Sequence, residues 1–224
     1  MVSLYIELKN YARINLRKVG IKLYLYMIRH GETVWNRDLL FTGQSDIELT
    51  DRGRAQAAAL GRRLAGVDFT RIYASDLTRA LETAQIVSGQ SAEAVTADPR
   101  LREADFGDWE GASWASLSEK CPDELARWRE NPAEIAVPGG ESFRQLLVRT
   151  EAAMQDIIAS HEDGNILIVS HAGTIRMYLA AILGADINQI WRLRQDNAAL
   201  NLLQVSEGEP FITLLNDTTH LEGI

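Results

Sequence analysis

The chain has 224 residues, is 46% hydrophobic and 24% charged, and carries a formal net charge of −8. Such a length and balance suit a folded protein with a full core; they argue against disorder and against a general nucleic-acid or anionic-membrane surface, while leaving room for a local basic pocket. The lone cysteine, Cys121, and four scattered histidines exclude an internal disulfide and a cysteine–histidine zinc framework, so no metal site is expected and the setting is read as reducing and cytoplasmic.

Residues 1–22 hold Lys9, Arg13, Arg17, Lys18 and Lys22 against Glu7, leaving −12 on residues 23–224. No uninterrupted apolar run follows these charges, so the segment is read as an N-terminal extension and not as a secretory signal. Residues 23–224 are read as a single domain. No stretch approaches the roughly 20 apolar residues of a membrane span. Residues 23–28 are apolar at nearly every position, which suits a strand covered on both faces, and the run stops at Arg29-His30-Gly31. Thr50 caps an expected helix to residue 64, residues 71–74 form a second strand, and Ser75 caps a helix over 76–87 that Gly89 closes. Residues 99–140 contain four of the five prolines and Trp109, Trp114 and Trp128, and read as an excursion covering one end of the sheet. A long helix is expected over 141–160, a wholly apolar strand over 165–170 ending in His171-Ala172-Gly173, a helix over 174–183, and strands near 198–205 and 211–215. Alternating strands and helices predict an α/β fold: a three-layer α/β/α sandwich around a mostly parallel sheet, with a small cap from the middle of the chain.

Two buried strands thus stop at a histidine followed within two residues by glycine. In open α/β sheets ligands bind beyond the carboxyl ends of the strands, where helix N-termini favour anions. Arg29 adjoins the first histidine and Arg79 lies early in the helix after the second strand; guanidinium groups bind phosphate oxygens with paired donors. The pattern points to a phosphate or carboxylate pocket.

Arg29-His30-Gly31-Glu32-Thr33, with Asn36 behind it, resembles the signature of the histidine phosphatase superfamily, which includes the cofactor-dependent phosphoglycerate mutases. Phe41-Thr42-Gly43 with Leu49-Thr50 and Gly53, Tyr73 to Ala80, Leu101 to Gly111 (LREADFGDWEG), and Ile168 to Arg176 (IVSHAGTIR) resemble its further segments, in order over residues 23–216. The resemblance implies a phosphomonoester hydrolase that needs no metal or other cofactor. His30 would be the nucleophile, forming a phosphohistidine. Arg29, Arg79 and His171 would hold the phosphoryl oxygens, helped by Asn36, Thr42 and the backbone around Gly43. Glu103 would protonate the leaving alkoxide and then activate water, which needs a protonated carboxyl in the enzyme–substrate complex.

The second histidine is followed by Ala172-Gly173 and not by the aspartate typical of the acid phosphatase branch, so the chain resembles the mutase-like branch. Its acid loop, Phe106-Gly107-Asp108-Trp109-Glu110-Gly111, is similar to the phosphatase form, which implies phosphatase over mutase. The stretch Arg194-Gln195-Asp196-Asn197-Ala198-Ala199-Leu200 and Leu215-Asn216-Asp217-Thr218 resemble bacterial α-ribazole phosphatases of cobalamin synthesis, and equally the metal-independent phosphoserine phosphatases. The implied partner is a small phosphorylated metabolite such as α-ribazole 5′-phosphate or phosphoserine, with the oligomeric state open, a homodimer included. A phosphoglycerate mutase, a non-catalytic member and a phosphohistidine-protein phosphatase stand as alternatives.

Asp105-Phe106-Gly107 spells a kinase magnesium triad, but no ATP loop accompanies it. Glu32 reads as ordering the pocket from behind. Pro138-Gly139-Gly140-Glu141-Ser142 is either a substrate contact or a loop and helix start. The three tryptophans either floor a pocket or pack as core, and His161 and His220 read as surface residues.

Overall fold

The computed structural model describes residues 23–224; the N-terminal extension lies outside the described residues. Six strands form one sheet in the order β3-β2-β4-β1-β5-β6: β1 (Leu23–Arg29), β2 (Phe69–Ala74), β3 (Val95–Ala97), β4 (Gly164–Ser170), β5 (Leu200–Ser206) and β6 (Glu209–Asp217). β3, β2, β4 and β1 run parallel, and β5 and β6 close one edge as an antiparallel pair.

Four helices cover the sheet: α2 (Asp51–Arg63) and α3 (Thr78–Ser88) on one face, α6 (Phe143–Ala159) and α7 (Ala172–Leu183) on the other. The two-residue period of β4 makes the layers. Leu167 and Val169 pack with Ala57, Leu60, Ala80 and Ala84, whereas Ile166 and Ile168 pack with Ala153, Met154, Ile175 and Leu179. Both faces are therefore apolar, which is why the strand reads as one continuous hydrophobic run. This is the expected α/β architecture.

The middle of the chain supplies the short helices α4 (Trp114–Lys120) and α5 (Pro122–Glu130), following the single-turn α1 (Val34–Arg37) near the first strand end. A third cluster, including Trp109, Leu117, Leu125, Trp128, Phe143, Leu146 and Met177, packs this excursion onto α6 and α7. No helix among the described residues is long and apolar enough to cross a membrane.

Several boundaries differ from expectation for tertiary reasons. α3 starts at Thr78, not at Asp76, because the carboxylate of the distant Asp46 accepts from the Thr78 N–H and hydroxyl, while the Ser75 hydroxyl accepts from Leu77 N–H in the preceding turn. α7 starts two residues early, at Ala172, with a carboxylate from elsewhere in the chain meeting its first turn. β5 begins only at Leu200, since Ala198 has a left-handed backbone with φ of 54°. The short edge strand β3, two-thirds exposed, has no alternation to announce it.

Candidate active site

β1 and β4 are neighbours with Arg29 opposite Ser170, and the His30 N–H extends the ladder by donating to Ser170 C=O at 3.0 Å. The two strand-end histidines therefore emerge side by side, with ring centroids 5.0 Å apart. His30 is 3% exposed and His171 fully buried.

Their hydrogen bonds fix the tautomers. The partner of His30 Nδ1 is the Gly31 carbonyl at 2.7 Å, which only accepts, so Nδ1 carries the proton and Nε2 keeps its lone pair. The partner of His171 Nδ1 is the Nε–H of Arg79 at 3.3 Å, which only donates, so the neutral His171 carries its proton on Nε2. That Nε2 is buried with no hydrogen-bond partner among the described residues, and so is Nε of Arg29. Burial holds both imidazoles well below the usual histidine range, reinforced at His30 by Arg79 and then Arg29, and at His171 first by Arg79. Both are neutral at pH 7. Burial likewise brings Arg29 down to about 10, with Glu103 opposing, which leaves it charged.

Arg79, from the first turn of α3, is fully buried and gripped by backbone: it donates to Gly43 C=O at 2.6 Å and Ser45 C=O at 2.8 Å as well as to His171. Burial lowers it too, with Glu103, Asp46 and Glu110 opposing. Arg29 donates to Gln195 C=O at 2.7 Å.

Glu103 completes the cluster. One carboxylate oxygen accepts from Ala104 N–H at 2.9 Å, the other from Gly173 N–H at 3.0 Å in the first turn of α7. A Cβ at position 173 would collide with Glu103 Oε1, so only glycine leaves room for the acid. Arg149 clamps the acid loop by donating to the carbonyls of Arg100, Arg102 and Glu103 and pairing with Glu141.

Arg29, His30, Asn36, Thr42 and Glu103 line one cleft of about 1030 Å³, shared with Leu39, Phe41, Phe106, Trp114, Trp128 and Trp191. Asn36 Oδ1 accepts from Thr33 N–H and Asn197 Nδ2, which leaves the Asn36 NH₂ for the cleft. The Thr42 hydroxyl donates to Leu40 C=O. Gly43 is placed differently from the others: it stands behind Arg79, holding the guanidinium through its carbonyl.

Glu32 accepts from the Thr50 hydroxyl and lies 3.7 Å from Arg52, away from the cleft. Glu141 pairs with Arg149 and accepts from Asp105 N–H, so this part of the 138–142 segment buttresses the acid loop. Trp109 and Trp128 are core of the cap, Trp128 also facing the cleft, while Trp114 is 44% exposed at its mouth. His161 and His220 are not free surface residues: one bonds the Tyr73 hydroxyl, the other Ala198 C=O, and both are half-buried. Three contributors escaped sequence reasoning. Asn197 Nδ2 ties together His30 C=O, Gly31 C=O and Asn36. Glu110 accepts from the N–H groups of Gln44, Ser45 and Phe106, holding the loop that grips Arg79. Arg149 is the third. Asn197 and Glu110 sit inside the resembling segments and Arg149 in the long helix α6, but the role of all three depends on contacts far away in the chain.

Taken together, two neutral histidines, a buried and a half-buried guanidinium and a backbone-held carboxylate can bind a phosphoryl group and move a proton beside it.

Comparisons with known proteins place the chain in a family. The chain is 32% identical to phosphoserine phosphatase 1 of Hydrogenobacter thermophilus over 198 residues, covering 88% of this chain and 93% of the relative. It is 35% identical over 211 residues to the "Probable phosphoglycerate mutase GpmB" of Enterobacter sp., covering 90% and 96%. Among solved structures, the α-ribazole phosphatase of Shigella flexneri superposes with a TM-score of 0.80 at 30% identity, over 87% of this chain and 96% of that one. The family model described as "Histidine phosphatase superfamily (branch 1)" matches residues 25–218. By sequence, fold and strand-end geometry alike, the chain belongs to branch 1 of the histidine phosphatase superfamily.

Proposed function

We propose that the chain hydrolyses small phosphomonoesters through a phosphohistidine on His30. The observation that carries this reading is the tautomer pair. Nδ1–H of His30 is committed to Gly31, leaving Nε2 as a neutral nucleophile, with two nearby buried donors, His171 Nε2–H and Arg29 Nε–H, unpartnered among the described residues.

In the first half-reaction the Nε2 lone pair of His30 forms a bond to phosphorus as the P–O bond to the alcohol breaks. Glu103, protonated in the complex, gives its proton to the departing oxygen. In the second half, Glu103 as carboxylate takes a proton from water, whose oxygen attacks phosphorus and breaks the P–N bond. Inorganic phosphate leaves and His30 is restored. Arg29, Arg79, His171 and the Asn36 amide bind the equatorial oxygens; their charge and fixed dipoles do the work of transition-state stabilisation.

The relatives' names support α-ribazole 5′-phosphate or phosphoserine as candidate substrates. A second reading, phosphoglycerate mutase, is favoured by the mutase-named relative. The test is phosphate release from p-nitrophenyl phosphate by wild type and His30→Ala, with and without chelator, followed by a panel of sugar phosphates, phosphoserine, nucleotides and α-ribazole phosphate. The expected result is a loss of at least about 10³-fold in His30→Ala and no effect of chelator. Turnover retained without His30 removes the nucleophile. Conversion of 3-phosphoglycerate, given with the bisphosphate cofactor, to 2-phosphoglycerate faster than to free phosphate establishes the mutase instead.

A further inference from the structure

The cleft is lined by more than the phosphoryl-binding residues, and several of its other residues carry donors. Trp128 is 2% exposed and lines the cleft, yet its indole N–H is buried without a hydrogen-bond partner among the described residues. An indole N–H can only donate, so an acceptor on a ligand seated in the cleft would satisfy a group the protein leaves open. Next to it in sequence, Arg129 lines the same space with its guanidinium 6.0 Å from the Trp114 ring centroid, and none of the ion pairs formed by the described residues engages it. Asn188 faces them from the turn after α7. Its Oδ1 accepts from Ala133 N–H at 3.1 Å, which fixes the amide so that the NH₂ is the free group.

Much of the remaining wall is flat and apolar. Phe41 and Trp114 stack with an 18° tilt, Phe106 lies edge-on to Phe41, and Trp191 is 48% exposed with its ring centroid 5.7 Å from that of Trp128. Among the described residues, Glu103 is the one acidic residue lining the cleft, and it belongs to the phosphoryl-binding group. A pocket that combines a phosphoryl-binding group with a second set of donors among aromatic walls suits a ligand with a flat body and a second anion.

We propose that Trp128 Nε1–H, Arg129 and the Asn188 amide form a second anion subsite, and that the preferred substrate is a phosphomonoester whose flat, largely apolar alcohol portion ends in a carboxylate or another anion. This rests on the phosphomonoesterase reading for the orientation of the ligand, but binding tests it without turnover. The probes are benzylphosphonate, its 4-carboxy and 4-aminomethyl derivatives, and the biphenyl homologues of all three, titrated calorimetrically into the full chain. At least one 4-carboxy probe binds about tenfold or more tighter than its unsubstituted parent, and the aminomethyl probe binds more weakly. Arg129→Gln and Trp128→Phe each shrink the carboxy-to-parent ratio several-fold. Asn188→Asp keeps the acceptor for Ala133 but places a carboxylate where the donor was, and abolishes the preference. Equal affinity of carboxy and parent probes at both lengths overturns the subsite, as does a preference that survives all three variants. Separately, phosphonates that bind with the predicted preference to a protein that never turns over phenyl phosphate refute the hydrolase reading and leave the subsite standing; failure of every phosphonate to bind overturns both.

Discussion

Replacing Gly173 by alanine adds one methyl group and changes no charge, yet it strikes the proposed acid. The new Cβ lies well inside contact distance of Glu103 Oε1, and the carboxylate must retreat by about 1 Å, a misplacement on the scale that costs about 10²-fold in rate. In retreating it gives up the Gly173 N–H, and the Ala104 N–H bond weakens with it; each bond to a carboxylate is worth about 1.5–3 kcal/mol. Glu103 serves the leaving alcohol as an acid, so the damage depends on how badly that alcohol needs a proton. Phosphoserine, with an alkoxide leaving group, should lose about 10²-fold in kcat/KM. p-Nitrophenyl phosphate, whose phenolate leaves unaided, should lose about tenfold or less in the single-turnover phosphorylation step. Stopped-flow and rapid-quench rates on the two esters measure this directly, with circular dichroism to show the fold retained. An equal loss on both substrates refutes the assignment of Glu103 as the proton donor, and unchanged rates refute the claim that Gly173 holds it.

The remaining expectations concern the histidines and the loop that grips Arg79. His30 and His171 are held neutral in the fold but take up protons near pH 6.5 when unfolded, so the unfolded chain binds more protons and stability falls as pH drops below that value. Between pH 7.5 and 5.5 the pair accounts for at most about 3 kcal/mol, or up to about 10 °C in Tm; calorimetry on a His30→Asn, His171→Asn double variant should show that part of the acid sensitivity removed. Glu110→Gln turns one of the acceptors for Gln44, Ser45 and Phe106 into a donor facing donors, loosening the carbonyls that hold Arg79. It should lower kcat/KM by about 10–100-fold and weaken inhibition by inorganic phosphate; unaltered phosphate inhibition would show that the loop does not position Arg79.

How much of this was legible in the sequence follows from the range of the interactions involved. Residues 23–28 and 165–170 announced their strands because both faces of the sheet are covered, and the abrupt polar stop at Arg29-His30 and at His171 marked the site end of each. The late start of α3 and the early start of α7 could not be read locally, since Asp46 and Glu103 meet their first turns from 32 and 70 residues away. Asn197 and Glu110 looked like ordinary loop residues; they matter because they bond backbone groups of segments 166 and 66 residues distant. Trp128 was ambiguous between core and pocket, and the structure makes it both: its rings pack in the cap while its indole N–H has no partner among the described residues.

The central claim is that His30 attacks phosphorus through Nε2. Rapid acid-free quench of the enzyme with excess substrate, followed by ³¹P NMR and peptide mass spectrometry, tests it in one measurement. The account predicts a transient, acid-labile phosphoryl group on His30 at Nε2, absent from His30→Ala. A phosphoryl group on Nδ1 of His30 or on His171, or turnover with no phosphoenzyme on the millisecond timescale, contradicts it.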